Sequence, residues 1–197
     1  MRNLIKTFIV MLMLSSSHAA IADDLEDGVA AYVKQDFATA LRLWTPLAEQ
    51  GNVEAELQLG QMYDLGRGVA EDAKTAVKWY TLAAEKGDKY AQNNLGKKYE
   101  RGQGVAQNYK IAVKWYTLSA EQGNDVAQWN LASMLEKGQG VAQDYVKAHM
   151  WLNIAASNIL YLLSFRDDLA KKMTPAQIVQ AQEAASRCIK QNFKNCE

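Results

Sequence analysis

A period of 36 residues runs through most of this chain and limits its possible folds more than any other feature. Ala48-Glu49-Gln50-Gly51, Ala84-Glu85-Lys86-Gly87 and Ala120-Glu121-Gln122-Gly123 recur in phase. Leu59-Gly60 and Leu95-Gly96 do the same, followed by Leu131-Ala132. Gly66-x-Gly68-Val69, Gly102-x-Gly104-Val105 and Gly138-x-Gly140-Val141 share the register. So do Trp79, Trp115 and Trp151, with Ala76, Ala112 and Ala148 three residues earlier. A unit this short cannot bury its apolar face alone, so it must stack on copies of itself.

Each unit reads as two helices. Helix A of the first full unit spans Val53 to Leu65, with Ala55, Leu59, Gly60 and Tyr63 on one face. Gly60 is read as the place where two helix backbones approach. Gly66 suits the left-handed conformation that ends a helix, and Gly68 lets the chain turn back. Asp72, Asn108 and Asp144 are N-caps for helix B. Helix B spans Ala73 to Glu85, with Ala76, Trp79, Tyr80 and Ala83 inward. No strand-like alternation competes, so the expected fold class is all-α.

The combined pattern, A-x-x-x-L-G-x-x-Y-x-x-G-x-G-V-x-x-D-x-x-x-A-x-x-W-x-x-x-A-A-x-x-G, resembles the Sel-one-like repeat (SLR), a branch of the tetratricopeptide (TPR)-like superfamily, in its exported bacterial form. The resemblance covers three units: 53–88, 89–124 and 125–158. Asn108 departs from it in the second unit, and Ala132, Leu135 and Ile159 depart in or just after the third. It implies a right-handed α-solenoid of stacked antiparallel helix pairs. Residues 23–52 read as a shorter TPR-like capping pair, with Phe37 to Glu49 following Asp36. Residues 159–197 read as a C-terminal cap, in which Thr174-Pro175-Ala176-Gln177 opens the last helix with a capping box.

Residues 1–22 read as a secretory signal peptide. Arg2 and Lys6 precede the apolar run Phe8 to Leu14, and Ala20-Ile21-Ala22 is a small-x-small site with cleavage after Ala22. The apolar run is far shorter than the ~20 residues that span a bilayer. The expected location is the periplasm, or outside the cell, with no membrane insertion after cleavage. The full chain carries 22 basic and 22 acidic side chains. Losing Arg2 and Lys6 leaves 20 against 22, a net charge of −2. Such a surface lacks the basic footprint of a nucleic-acid partner.

Few residues carry chemistry. Cys188 and Cys196 are the only cysteines. In an oxidising compartment an intrachain disulfide closing the tail is the favoured reading, with free or intermolecular thiols as the alternatives. His149 is the one histidine beyond the leader. It has neither an oriented partner for base catalysis nor companions for a zinc site, and it reads as a surface or half-buried structural residue. No serine begins a Ser-x-x-Lys, and no P-loop, G-x-S-x-G or H-E-x-x-H occurs. No catalytic residue, metal or cofactor is expected. Some proteins of the resembled family carry a β-lactamase or penicillin-binding label, so a β-lactamase-like or peptidoglycan-related hydrolase is the alternative. Those proteins are cysteine-rich within each repeat, whereas no repeat here contains Cys.

The favoured function is a non-catalytic adaptor or scaffold that binds a protein or peptide, acting as a monomer or with weak self-association. On a helical wheel, the face opposite Ala55, Leu59 and Tyr63 holds Glu54, Leu57, Gln58, Gln61 and Asp64. One period on it holds Tyr90, Asn93, Asn94, Lys97 and Glu100, then Val126, Trp129, Asn130, Ser133 and Glu136. The resemblance places helix A on the concave side. Leu57, Tyr90 and Trp129 would be anchors there, Gln58, Asn93, Asn94 and Asn130 would meet a peptide backbone, and Gln61 and Lys97 would line the same groove; the alternative is that these side chains only fill the inner curve between repeats. Export itself has a direct check: the intact mass of protein recovered from the periplasm should correspond to a chain beginning at Asp23.

Overall fold

The computed structural model describes residues 23–194 and Cys196. The expected signal segment and its cleavage point after Ala22 lie outside the described residues. Among the described residues all regular structure is helical. Helix α1 covers residues 23–33. It is followed by α2 (Phe37–Glu49), α3 (Val53–Leu65), α4 (Ala73–Glu85), α5 (Lys89–Arg101) and α6 (Tyr109–Ala120). Then come α7 (Asp125–Lys137), α8 (Tyr145–Ala156), α9 (Leu162–Ala170) and α10 (Pro175–Lys190). The chain divides into two compact units between Trp79 and Tyr80, inside α4.

The helix ends follow from local chemistry. Asp72, Asn108 and Asp144 accept from backbone N–H groups of Thr75, Ile111 and Lys147 at 3.2, 3.1 and 2.9 Å, as expected of helix-B N-caps. Asn52, Asp88 and Asn124 do the same for helix A, through Ala55, Ala91 and Ala127. Gly66, Gly102 and Gly138 close helix A at φ 64, 68 and 65. The chain then returns: the N–H of Asp72, Asn108 and Asp144 donates to the carbonyl of Tyr63, Tyr99 and Leu135 at 2.9, 2.9 and 3.0 Å.

In the first unit the core forms around Trp44, with Ala40, Leu47, Ala55, Leu59 and Met62. Residues 34–36 alone join α1 to α2. The Trp44 indole N–H donates to the Leu25 carbonyl at 3.3 Å. Gly28 admits that ring, because a Cβ there would stand 2.2 Å from its nitrogen. Tyr32 meets Phe37 edge-on at 5.3 Å. Arg67, from the loop after α3, lies over both rings at 5.3 and 6.0 Å and donates to the Tyr32 hydroxyl. This places Gly68 against the start of α2, where a Cβ would come 2.7 Å from that of Phe37.

In the second unit, α5 pairs with α6 and α7 with α8, and α10 packs on α8. Alanines 112, 120, 127, 132 and 148 are buried together with Tyr116, Leu131, Met134, Trp151 and Ile154. The repeat junction carries a buried polar tie. The Gln92 amide donates to the Ala84 carbonyl at 3.1 Å, and Gln128 donates to Ala120 at 3.3 Å. Each glutamine satisfies a carbonyl at the end of the preceding helix B. Gln122 also donates to Gln92 Oε1 at 2.8 Å.

The glycine of the second Leu-Gly pair, Gly96, faces a ring. A Cβ on Gly96 would meet the Tyr116 ring at 2.7 Å, so the close neighbour is an aromatic side chain and not a helix backbone. One period later both members change, to Ala132 and Leu152. The two departures form a compensated pair, a methyl entering where a ring has gone. Tyr116 also donates to Glu100 Oε2 at 2.5 Å. Burial first, and the Glu100 carboxylate second, push its phenol far above the ordinary range, so it stays a donor. With Leu152 in the tyrosine's place, Glu136 instead accepts from Lys172 at 2.8 Å, which ties α7 to the turn before α10. The same compensation sets an expected result. Gly96→Ala should destabilise the protein by about 1–2 kcal/mol, overpacking outweighing the better helix propensity of Ala. In a Tyr116→Leu background it should be neutral or stabilising. A urea double-mutant cycle measures the coupling.

Candidate functional site

The face opposite the helix-A core stripe is less open than a wheel implies. In the first unit, Leu57 is only 7% exposed, Gln58 and Gln61 are half-buried, and Glu54 is exposed. In the second unit, Tyr90 is 54% exposed, Asn94 and Lys97 are half-buried, and Asn93 is 5% exposed. Leu57 and Asn93 therefore present little surface. The cause is stacking: α5 and α7 lie close enough that Asn130 Nδ2 donates to Asn93 Oδ1 at 2.9 Å. The two amides join neighbouring repeats.

Trp129 is drawn into a larger arrangement. It is half-buried and packs against Ala155, Ala156 and Leu162, with Ile159 and Leu163. Its ring meets Phe165 edge-on at 6.0 Å, and Phe165 meets Tyr161 at 6.4 Å. This ladder climbs from α7 onto α9. At its outer end Tyr161 is 60% exposed and Leu160 75% exposed. Two nearby contacts involve charged side chains. Arg166 pairs with Asp167 at 2.6 Å, and Asn158 donates to Asp125 at 3.0 Å. The surface is thus aromatic and next to a paired amide. Wheel reasoning found Trp129 but missed Leu160, Tyr161 and Phe165, because they lie outside the 36-residue register.

The comparisons with known proteins follow this geometry. The Sel1 repeat family matches residues 16–52, 53–88, 89–124 and 125–158. The chain belongs to the Sel1 repeat family. Two solved structures extend the match. A Sel1 repeat protein from Oxalobacter formigenes is 35% identical over 68% of this chain and 54% of its own, with a TM-score of 0.65. A protective antigen of uropathogenic Escherichia coli strains, which displays an SLR fold, is 28% identical over 95% of this chain and 49% of its own, with a TM-score of 0.63. The chain thus spans about half the length of these solved relatives. Comparison with curated proteins gave no match. The family and these neighbours establish an all-α repeat-solenoid fold of the TPR-like superfamily, one that serves as a protein-interaction scaffold. The matched range 16–52 counts the N-terminal pair as a fourth Sel1 repeat.

Other chemistry in this Sel1 chain is sparse. Among the described residues, no group of three or more His, Cys, Asp and Glu side chains is placed to hold a metal ion. Among the same residues, no helix is long and apolar enough to cross a membrane. Cys188 and Cys196 form the intrachain disulfide, with Cα atoms 4.9 Å apart.

His149 departs from the expected surface or half-buried setting: it is buried. It takes the register position of Val77 and Val113, a signal available from the repeat alignment alone. Its Nδ1 lies 2.9 Å from Asn153 Nδ2, which is consistent with a neutral ring accepting there. Burial, and then the positive charge of Arg166, lower its pKa, with Asp167 opposing. A histidine with a depressed folded pKa binds a proton more readily when unfolded. Its contribution is therefore intact above the unfolded value near 6.5 and is lost as pH falls below it. Urea midpoints should accordingly decline as pH falls below about 6.5. His149→Val, which restores the residue of the other repeats, should flatten that slope.

Proposed function

We propose that this Sel1 repeat protein is a non-catalytic adaptor of the bacterial cell envelope. It docks a peptide or protein segment along the helix-A face of residues 80–197. The observation that carries the reading is the ladder Trp129–Phe165–Tyr161, continued by exposed Leu160 and flanked by the Asn93–Asn130 amide pair. Exposed aromatic side chains on a rigid helical frame are what interface anchors are made of. The exposed rings and Leu160 would be met by apolar side chains on the partner. Tyr90, Asn94 and Lys97 lie further along the same row of helix-A positions. The envelope location rests on the Arg2–Ala22 leader pattern.

A photo-crosslinking residue tests this reading. Placed at Asn94, it should capture a partner that the same residue at Lys110 on α6 does not. Replacing both Tyr161 and Phe165 with Ser should weaken binding of the isolated partner by roughly thirtyfold or more, the loss of at least one anchor. Equal capture from both positions, or unchanged affinity in the folded double variant, would assign docking to another face.

A further inference from the structure

We propose that the C-terminal tail is a redox-released strap over a largely apolar cavity. Beyond α10 the chain doubles back. Asn192 and Phe193 adopt left-handed backbone, φ 52 and 62. Asn tolerates this conformation, whereas a bulky aromatic adopts it at a cost. Backbone hydrogen bonds, a ring contact and the disulfide hold the segment in place: Asn192 N–H donates to the Ile189 carbonyl at 3.1 Å and Lys194 N–H to that of Gln191 at 3.2 Å. Phe193 N–H donates to the Cys188 carbonyl at 3.0 Å. The Phe193 ring lies on Gly123, so closely that a Cβ there would stand 3.0 Å from Cε2. Cys196 is bonded to Cys188. Only the last is covalent.

The tail closes one side of a real space. A cavity of about 170 Å³ has Val113, Leu131, Leu135, Val141 and Trp151 as its apolar lining, with Thr117, Glu121 and Lys147 beside them and Cys196 as the tail's part of the wall. The apolar side chains come from α6, α7, α8 and the loop before α8, and with the tail displaced they would form a largely apolar cleft rimmed by Glu121 and Lys147. The cleft shares no residue with the aromatic ladder, so this inference stands apart from the docking proposal.

The two sulfurs differ in access. Cys188 is buried, whereas Cys196 is half-buried. A dithiol reductant therefore attacks Cys196 Sγ through one thiolate, and Cys188 Sγ leaves with the bonding pair and takes a proton. The second thiolate of the reductant then displaces Cys196 Sγ and closes the reductant's own disulfide. Two electrons and two protons pass to the protein, which ends with two thiols. The segment is then left with a ring contact and backbone hydrogen bonds opposed by the unfavourable Phe193 conformation. It detaches and opens the cleft.

The experiment compares the oxidised chain, the chain reduced with a small dithiol, and Cys196→Ser without reductant. The Ser variant leaves buried Cys188 in place. Tryptic cleavage after Lys194 should accelerate by roughly tenfold or more in both opened forms. An apolar fluorescent dye should bind them and not the oxidised chain, and far-UV helix content should be unchanged. If cleavage and dye binding match the oxidised protein, the disulfide is a staple on a tail that stays docked. If helix content collapses, the bond supports the whole unit and not a strap. Either result overturns the proposal.

Discussion

The stacking of these repeats depends on one close approach. In two of the three long loops the second glycine lies where a side chain would strike the start of an earlier helix B. At Gly68 the obstacle is Phe37, and at Gly140 it is the backbone of Tyr109, with the carbonyl carbon 2.3 Å from where a Cβ would be. Both glycines also have positive φ, 74° in each case. The position thus excludes other residues twice, by conformation and by space. Within each unit it fixes how far one pair sits from the next. The alanine rows and the glutamine ties can then meet their partners only at that distance.

Where the repeat pattern weakens, the structure is changing its neighbour. Ala132 and Leu152 replace a glycine and the ring that covered its counterpart. Glu136, released from a tyrosine, binds Lys172. Ile159, in place of a closing glycine, joins the cluster beneath α9. His149, in place of a valine, comes under the influence of Arg166. These four departures mark the side of the third pair that meets the C-terminal helices. They are adaptations to a different partner surface. Gln128 shows a residual cost: its Oε1 is buried without a hydrogen-bond partner, where Gln92 receives Gln122.

Helix ends were readable because they depend on residues next to them. Asp72, Gly66 and Thr174 each act within a few positions. The helix-A caps Asn52, Asp88 and Asn124 were equally local, but the glycine before each drew the reading. Burial was less legible. A wheel assumes one buried face, whereas a helix in a stack is covered by its own partner and by the next helix A. Asn93 and Gln92 disappear from solvent for that reason. The aromatic ladder was the least legible part, since α9 has no counterpart in the period and nothing in its sequence says which helix it will lie on.

The buried glutamines have a consequence for how such a chain can lengthen or shorten. Gln92 reaches the end of α4, and Gln128 reaches the end of α6, by the same eight-residue step back. Excising residues 89–124 whole would set Gln128 against Ala84 with donor and acceptor still matched. A cut of any other length in this region would strand a buried amide on one side and a buried carbonyl on the other. The array can therefore be edited in whole units only, and its length is quantised by hydrogen bonding as well as by packing.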